Sequence, residues 1–440
     1  MRYPTSVCRV HLGCVVYTSI VMILTYGGME MYPSKQLLDN YAELAVKIGV
    51  NVQPGQTVVV MAPIVAADLV RLITLHAYQA GAHNVYVEYN DDQLSKIKYH
   101  HAPEEVFAEY PEWRAKAMEE YAEKGAAFIQ IYSPDPDLLD GVEPTRIATA
   151  AKTAATALNK YRSYLMAHHN AWTLLSYATP EWASKVFPGE SQESAEQKLW
   201  ARIIDATRMD HENPVEAWNQ HNAKLSEMVT FLNDKRYKQL QYEAPGTSLT
   251  IELPEGHVWL GGAKENSRGV WFNPNIPTEE VYTLPSKNGV NGTVRSTKPL
   301  NNNGVIIDGF SLTFKDGKVV DFSADKGAEA LQKLLDTDEG ARHLGEVALV
   351  PHDSPISNSN VIFYNTLFDE NASCHLALGQ AYPVTLEGGT DMDEQELAKH
   401  GVNKSLIHVD FMIGAAELSI DGITQDGRKE AIFRKGNWAF

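Results

Sequence analysis

Apolar and polar positions divide the chain into two textures. From Tyr32 to Ile48 the spacing is helical, with Leu37, Leu38, Tyr41, Leu44, Ala45 and Ile48 on one face. Pro54-Gly55 ends that unit. Thr57 to Ala62 (TVVVMA) is a short, continuous, β-branched run, as expected of a buried parallel strand. Ala66 to Ala80 predicts a second helix, stopped by Gly81, and Asn84 to Tyr89 the next strand. The alternation continues. Ala126–Tyr132 reads as a strand, Pro144–Tyr164 as an alanine-rich helix and Thr173–Tyr177 as another strand. Thr179-Pro180-Glu181 then starts a helix with a threonine cap and proline at its first position. Glu193–Asp234 is helical and broken at Asn213-Pro214. Strands alternating with helices predict a doubly wound, mainly parallel α/β sheet.

Beyond Ala244-Pro245-Gly246 the period changes from helical to alternating. Leu249, Ile251 and Leu253 alternate with polar residues. Asp316-Gly317 separates Leu312–Phe314 from Val319–Phe322, a strong hairpin signal. Asp421-Gly422 and Asp426-Gly427 add turns, and Lys326–Asp336 reads as a helix. The expected organisation is an α/β domain over residues 31–245 and a largely antiparallel α+β domain over 246–440. Residues 1–30 precede both. Leu12 to Leu24 is uncharged and largely apolar, but short for a membrane span and without a clean cleavage site. It is read as an extension or an upstream start, not as a secretory leader or membrane anchor.

Composition narrows the function. The 440 residues carry a formal charge of −18, which argues against a nucleic-acid binder. Three cysteines, Cys8, Cys14 and Cys374, make neither a disulfide framework nor a thiolate zinc site. No G-x-G-x-x-G and no phosphate loop follows a strand, so the α/β half is not read as a nucleotide domain.

The residues with candidate chemistry collect late. In His408-Val409-Asp410 the two polar side chains share one strand face, opposite Val409 and Phe411. A structural His–Asp hydrogen bond and metal ligation both fit this pair. Glu370 and His375 flank a probable loop in FDENASCH. Glu346 opens the strand Glu346–Val350, where a solvated strand end is the plainer reading. Glu279 and Glu280 follow Thr278, where helix-start carboxylates are the plainer reading. His168, His169 and His221 read as surface residues, and Ser354 and Ser357 lack a nucleophile elbow. Taken together, four carboxylates and two histidines without an H-E-x-x-H helix are the ligand set of a two-metal oxygen/nitrogen site.

Several segments are also shared with a known family. Asn273–Thr283 (NPNIPTEEVYT), Gly345–Pro351 (GEVALVP), Phe368–Gly379 (FDENASCHLALG), Ala381-Tyr382 and Ile407–Gly414 (IHVDFMIG) resemble the thermophilic metalloaminopeptidases, the family of aminopeptidases T and S (PepS). The resemblance runs from about Met31 to the C-terminus. It implies a cytoplasmic exopeptidase that removes residues from peptides with a free amino terminus. It implies a homodimer whose sites face an internal cavity, and two divalent cations per subunit, of zinc, cobalt, manganese or magnesium. Matched motif to motif, the metal ligands fall on Glu280, Glu346, Glu370, His375, His408 and Asp410, and a catalytic tyrosine on Tyr382. The family pattern makes Glu346 the shared ligand of a water-derived hydroxide centre; the chemistry of the groups then suits Tyr382 to donate to an oxyanion and Glu280 to carry the proton to the leaving amine. The alternatives are a metal-dependent amidohydrolase or esterase on non-peptide substrates, and a non-catalytic peptide-binding protein.

Overall fold

The computed structural model describes residues 33–302 and 305–440. The Leu12–Leu24 run and the rest of the expected extension lie outside the described residues. No helix among the described residues is long and apolar enough to cross a membrane.

The first half is built on four strands: β1 (Thr57–Pro63), β2 (Asn84–Asn90), β3 (Ala127–Ile131) and β4 (Trp172–Leu175). All pair in parallel, in the order β2-β1-β3-β4. The β-branched run suits β1 because alternate residues enter different cores. Val58, Val60 and Ala62 pack with the helices Lys35–Leu44, Ala67–Gln79 and Gln192–Thr207. Val59 faces Met118, Ala122 and Tyr161 on the other side. Helices therefore cover both sheet faces, as the alternation predicts. The expected helix Pro144–Tyr164 is instead two, Pro144–Ala157 and Asn159–Met166, broken at Leu158. The expected threonine cap is present, with Thr179 accepting from Trp182 N at 3.4 Å.

Among the described residues, the second half carries two large antiparallel sheets and two two-stranded ones, Lys264–Glu265 with Trp271–Phe272 and Leu300–Asn302 with Val305–Ile307. Its strands are β5 (Gln239–Ala244), β6 (Thr247–Glu252), β7 (Leu260–Gly261), β8 (Lys264–Glu265), β9 (Trp271–Phe272), β10 (Val281–Thr283) and β11 (Val290–Arg295). They continue as β12 (Leu300–Asn302), β13 (Val305–Ile307), β14 (Ser311–Lys315), β15 (Lys318–Ser323), β16 (Leu344–Leu349) and β17 (His375–Gly379). The last are β18 (His408–Met412), β19 (Ser419–Ile423), β20 (Lys429–Arg434) and β21 (Asn437–Trp438). The eight-stranded sheet runs β15-β14-β11-β6-β5-β19-β20-β21, and the five-stranded sheet β18-β17-β16-β10-β7. Asp316-Gly317 turns β14 into β15, as the sequence predicts. Leu249, Ile251, Leu312 and Ile420 of the larger sheet share one apolar cluster with Val347, Leu376, Leu378 and Phe411 of the smaller. One face of the five-stranded sheet is thereby closed, and its other face is left for chemistry.

The expected boundary at Ala244-Pro245-Gly246 is the turn joining β5 to β6, with Ala244 paired to Thr247. Both strands belong to the eight-stranded sheet, so we place the change of architecture before Gln239. The halves also share apolar packing. Phe272, Ile276, Phe363 and Phe368 enter the core of the parallel sheet. Trp182 is fully buried there and donates its indole N–H to the Phe363 carbonyl. Trp182→Ala is expected to cost about 3–5 kcal/mol by leaving a cavity and an unpaired carbonyl. Urea denaturation followed by circular dichroism checks this, and a cost under about 1 kcal/mol would contradict it.

Candidate metal centre

The open face of the five-stranded sheet is set by register. Tyr282 lies beside Ala348, Ala348 beside His375, and His375 beside Met412. One row away, Glu346 lies beside Ala377 and Ala377 beside Asp410. His408 is two residues from Asp410 on the same face, and Glu280 two before Tyr282. Adjacent residues point oppositely, so Val281, Val347, Leu349, Leu376 and Phe411 fill the apolar cluster. Period-two alternation on three strands and the entry to a fourth thus delivers five polar side chains to one place. A register irregularity between Leu344 and Glu346 lies at this point, of the kind that re-aims a strand residue. Gly379, opposite His408, has φ +102°, and a Cβ there would lie 2.2 Å from the Ile407 carbonyl. Any larger residue would push β17 from β18.

Two triads result, each with ligand atoms within 4.8 Å of one another: Glu280, Glu346 and His375, and Glu346, His408 and Asp410. Glu346 belongs to both. Its Oε1 is 3.6 Å from His375 Nε2 and its Oε2 is 3.8 Å from His408 Nε2. His375 Nε2 is also 3.2 Å from Glu280 Oε2, and His408 Nε2 is 3.4 Å from Asp410 Oδ1. The second nitrogen of each imidazole faces a carbonyl: His375 Nδ1 the Ser373 oxygen at 3.1 Å, His408 Nδ1 the Gln380 oxygen at 2.7 Å. A carbonyl only accepts, so each Nδ1 donates, and each Nε2 is the ring nitrogen turned to the carboxylates, the one that would ligate a metal on losing its proton.

Glu370 lines the same cavity but stands outside both triads. Its Oε1 accepts from Asn275 at 3.4 Å and Asn371 at 3.5 Å. Tyr382 also lines the cavity, its ring centroid 4.6 Å from that of His408. The cavity holds about 230 Å3 and has an apolar side formed by Met166, Trp172, Pro383 and Val384. Met166 and Trp172 come from the parallel-sheet half, so both halves build the wall. The segment before Glu280 is stitched to β4: Leu174 N donates to the Pro274 carbonyl and Ile276 N to the Leu174 carbonyl.

Electrostatics follow from crowding. Burial raises the Glu346 carboxyl, with His375 pulling the other way. Burial, then Glu280, holds Glu370 well above the carboxylate range. Burial alone would lower His375, but its hydrogen bonds to Glu280 and Glu346 hold it well above its usual value. Burial likewise opposes the charge on His408, yet Asp410 and Glu346 raise it to about 10. Burial would raise Asp410, and His408 outweighs it and keeps Asp410 low. Four carboxylates and two imidazoles crowd this space. Asp410 Oδ1 is buried without a hydrogen-bond partner among the described residues. A buried surplus of oxygen ligands with aimed imidazole nitrogens is the donor set that divalent cations satisfy. The residues present therefore fit the binding of divalent metal.

Several plainer readings of the sequence are corrected here. Glu346 is no solvated strand end but 6% exposed in the middle of the sheet. Thr278 caps no helix. Glu279 and Glu280 lead into β10, and Glu279 is tied by Arg208 at 2.6 Å while its N–H donates to Asn371 Oδ1 at 2.8 Å. His221 is not a surface residue: its Nε2 meets the Thr278 carbonyl at 2.7 Å and so steadies the loop that carries Glu280. His168 lines the cavity, and burial, then Lys264, lowers its pKa to about 4. Cys374 behaves as expected, packed in the apolar cluster and facing away from His375.

A doubly wound sheet joined to antiparallel sheets around a buried carboxylate–imidazole centre defines a metalloenzyme scaffold. Within that class, the chain belongs to the thermophilic metalloprotease family M29, whose model matches residues 34–438. The chain is 64% identical over 403 residues to "Aminopeptidase 2" of Geobacillus stearothermophilus, covering 92% of this chain and 98% of that protein. It is 43% identical over 401 residues to "Aminopeptidase T" of Thermus aquaticus, covering 91% and 98%. Among solved structures, wild-type AmpT from Thermus thermophilus superposes with a TM-score of 0.87 at 42% identity, covering 92% of this chain and all of that one.

Proposed function

We propose that this protein is a metal-dependent aminopeptidase that removes amino-terminal residues from peptides with two divalent cations held on a shared Glu346. Membership of a metalloprotease family and relatives named aminopeptidases support the exopeptidase class. The observation that carries the finer reading is the division of Glu346 between two imidazole-bearing triads, one oxygen toward each. By the grouping of the triads, Glu280 and His375 would hold one cation and His408 and Asp410 the other, and Glu370, a ligand by the family resemblance, would complete the set. Such cations supply Lewis acidity toward a carbonyl oxygen and make water more acidic.

The chain's own groups do the rest. The apolar wall of Met166, Trp172, Pro383 and Val384 receives the first side chain of the peptide and excludes water. Glu280 takes a proton from the attacking water on a carboxylate oxygen and passes it to the leaving amine. Tyr382 donates its phenol hydrogen to the carbonyl oxygen as charge develops there. Burial, then Glu346, raises its pKa far above the usual range, so the hydroxyl keeps its proton while it donates. The same reading makes the protein a cytoplasmic homodimer. Light scattering tests the dimer, and fractionation of native cells tests the compartment.

Prolonged chelation is expected to abolish release of the first residue from free-amine peptide amides, and added zinc, cobalt or manganese to restore it. Metal analysis of active protein should give two ions per chain. Amino-terminally acetylated peptides should resist cleavage. Full activity after metal stripping, or equal cleavage of acetylated peptides, would remove the proposal.

A further inference from the structure

Lys264 is a buried cation at this site that the mechanism above does not use. It is 8% exposed, and its Nζ is buried without a hydrogen-bond partner among the described residues. It lies 4.8 Å from the centroid of the Tyr282 ring and lines the cavity shared by Glu280, Glu346 and Asp410. Its strand β8 pairs with β9 through Phe272, a core residue of the parallel-sheet half, so the lysine backbone is anchored. An ammonium is seldom left buried and unpaired, because desolvation outweighs what one ring face returns. Burial lowers its pKa to about 7, while Glu280 and then Glu346 raise it. The carboxylates of the centre are therefore felt at Nζ, although none of them bonds it.

The charge balance gives this position a use. On the two-cation reading, four carboxylates neutralise two divalent ions, and the protonated fraction of Lys264 adds positive charge to the cavity. We propose that Lys264 is an electrostatic positioning residue, which faces the metal centre without ligating it and makes the cavity receptive to negative charge. Its field weakens the hold on cations and strengthens the hold on anions, including the charge gained by a substrate carbonyl oxygen during hydrolysis. This rests on the two-cation reading above.

The test compares wild type with Lys264→Met, which keeps length without charge, and Lys264→Arg, which keeps charge. Zinc is titrated calorimetrically into metal-free protein, and inorganic phosphate is titrated into the metal-loaded protein. Lys264→Met is expected to bind zinc about tenfold more tightly and phosphate about tenfold more weakly, a change in opposite directions that lost packing does not produce. Its kcat should fall with KM little changed, and Lys264→Arg should return both affinities toward wild type. Two unchanged affinities, or two weakened ones, would overturn the assignment. The wild-type zinc titration reports separately on the metal centre, and needs no turnover. A wild type that binds no zinc defeats the two-cation reading itself, whereas a wild type that binds zinc beside an unaltered variant defeats only the role of Lys264.

Discussion

Glu346→Gln is expected to reduce kcat/KM by about 1,000-fold or more, the effect of losing several kcal/mol of transition-state stabilisation. Glutamine keeps the shape of the side chain but offers only one good ligand oxygen and no charge. Both triads lose their common member at once, because Oε1 serves one imidazole neighbourhood and Oε2 the other. Metal content should fall below two ions per chain. The fold should survive, since Glu346 sits on a strand whose other face is filled by Val347 and Leu349. Stability adds a second reading of the same variant. Without cations, burial raises the Glu346 pKa, against the pull of His375 and His408, and Asp410 and Glu280 add to the rise. Glutamine removes the cost of burying that charge, so the metal-free variant should melt no lower than the metal-free wild type. With metal, only the wild type should gain stability, because only it binds the ions tightly. An active variant, or one that gains as much stability from zinc as the wild type, would show that Glu346 is not the shared ligand.

The parts of this site visible in the sequence are those where one strand carries its own signal. His408 and Asp410 alternate with Val409 and Phe411, and that local period places them on the polar face of β18. The parallel half was equally legible, because each buried strand is a short apolar run closed by a turn. Glu346 and Glu280 were not legible in this way. Whether Glu346 is solvated depends on β10 and β17 pairing on either side of β16, and no window of neighbours contains that fact. Thr278-Glu279-Glu280 has the composition of a helix start, yet pairing of Tyr282 with Ala348 draws the segment into a sheet. Tertiary pairing overrode local propensity there. The family resemblance, not spacing, separated these glutamates from other acidic residues. Lys264, His168 and His221 carry no local signal at all, since a polar residue beside polar residues reads as surface until the chain folds over it. The break at Leu158 was missed for a related reason: neither glycine nor proline marks it.

Tyr382→Phe is expected to lower kcat about 100-fold with KM and metal content near wild type. The substitution removes one oxygen and leaves the ring. That ring packs against His408 with centroids 4.6 Å apart, so its loss would disturb a proposed ligand, whereas phenylalanine keeps the contact. The backbone at this position is fixed independently. The Tyr382 carbonyl accepts from Thr385 N at 3.1 Å and from Thr385 Oγ1 at 2.6 Å. What changes is the donor alone. If the phenol acts only as charge develops on the carbonyl oxygen, ground-state binding does not need it and the loss falls on kcat. The pH profile gives a further constraint. Burial and the nearby carboxylates hold the phenol protonated far beyond the neutral range, so wild type and variant should share the same limbs between about pH 6 and 9 and differ only in height. An unchanged kcat would assign the oxyanion to other donors. A rise in KM with kcat intact would make Tyr382 a residue of substrate binding, and the geometry around His408 would then have to be explained as packing.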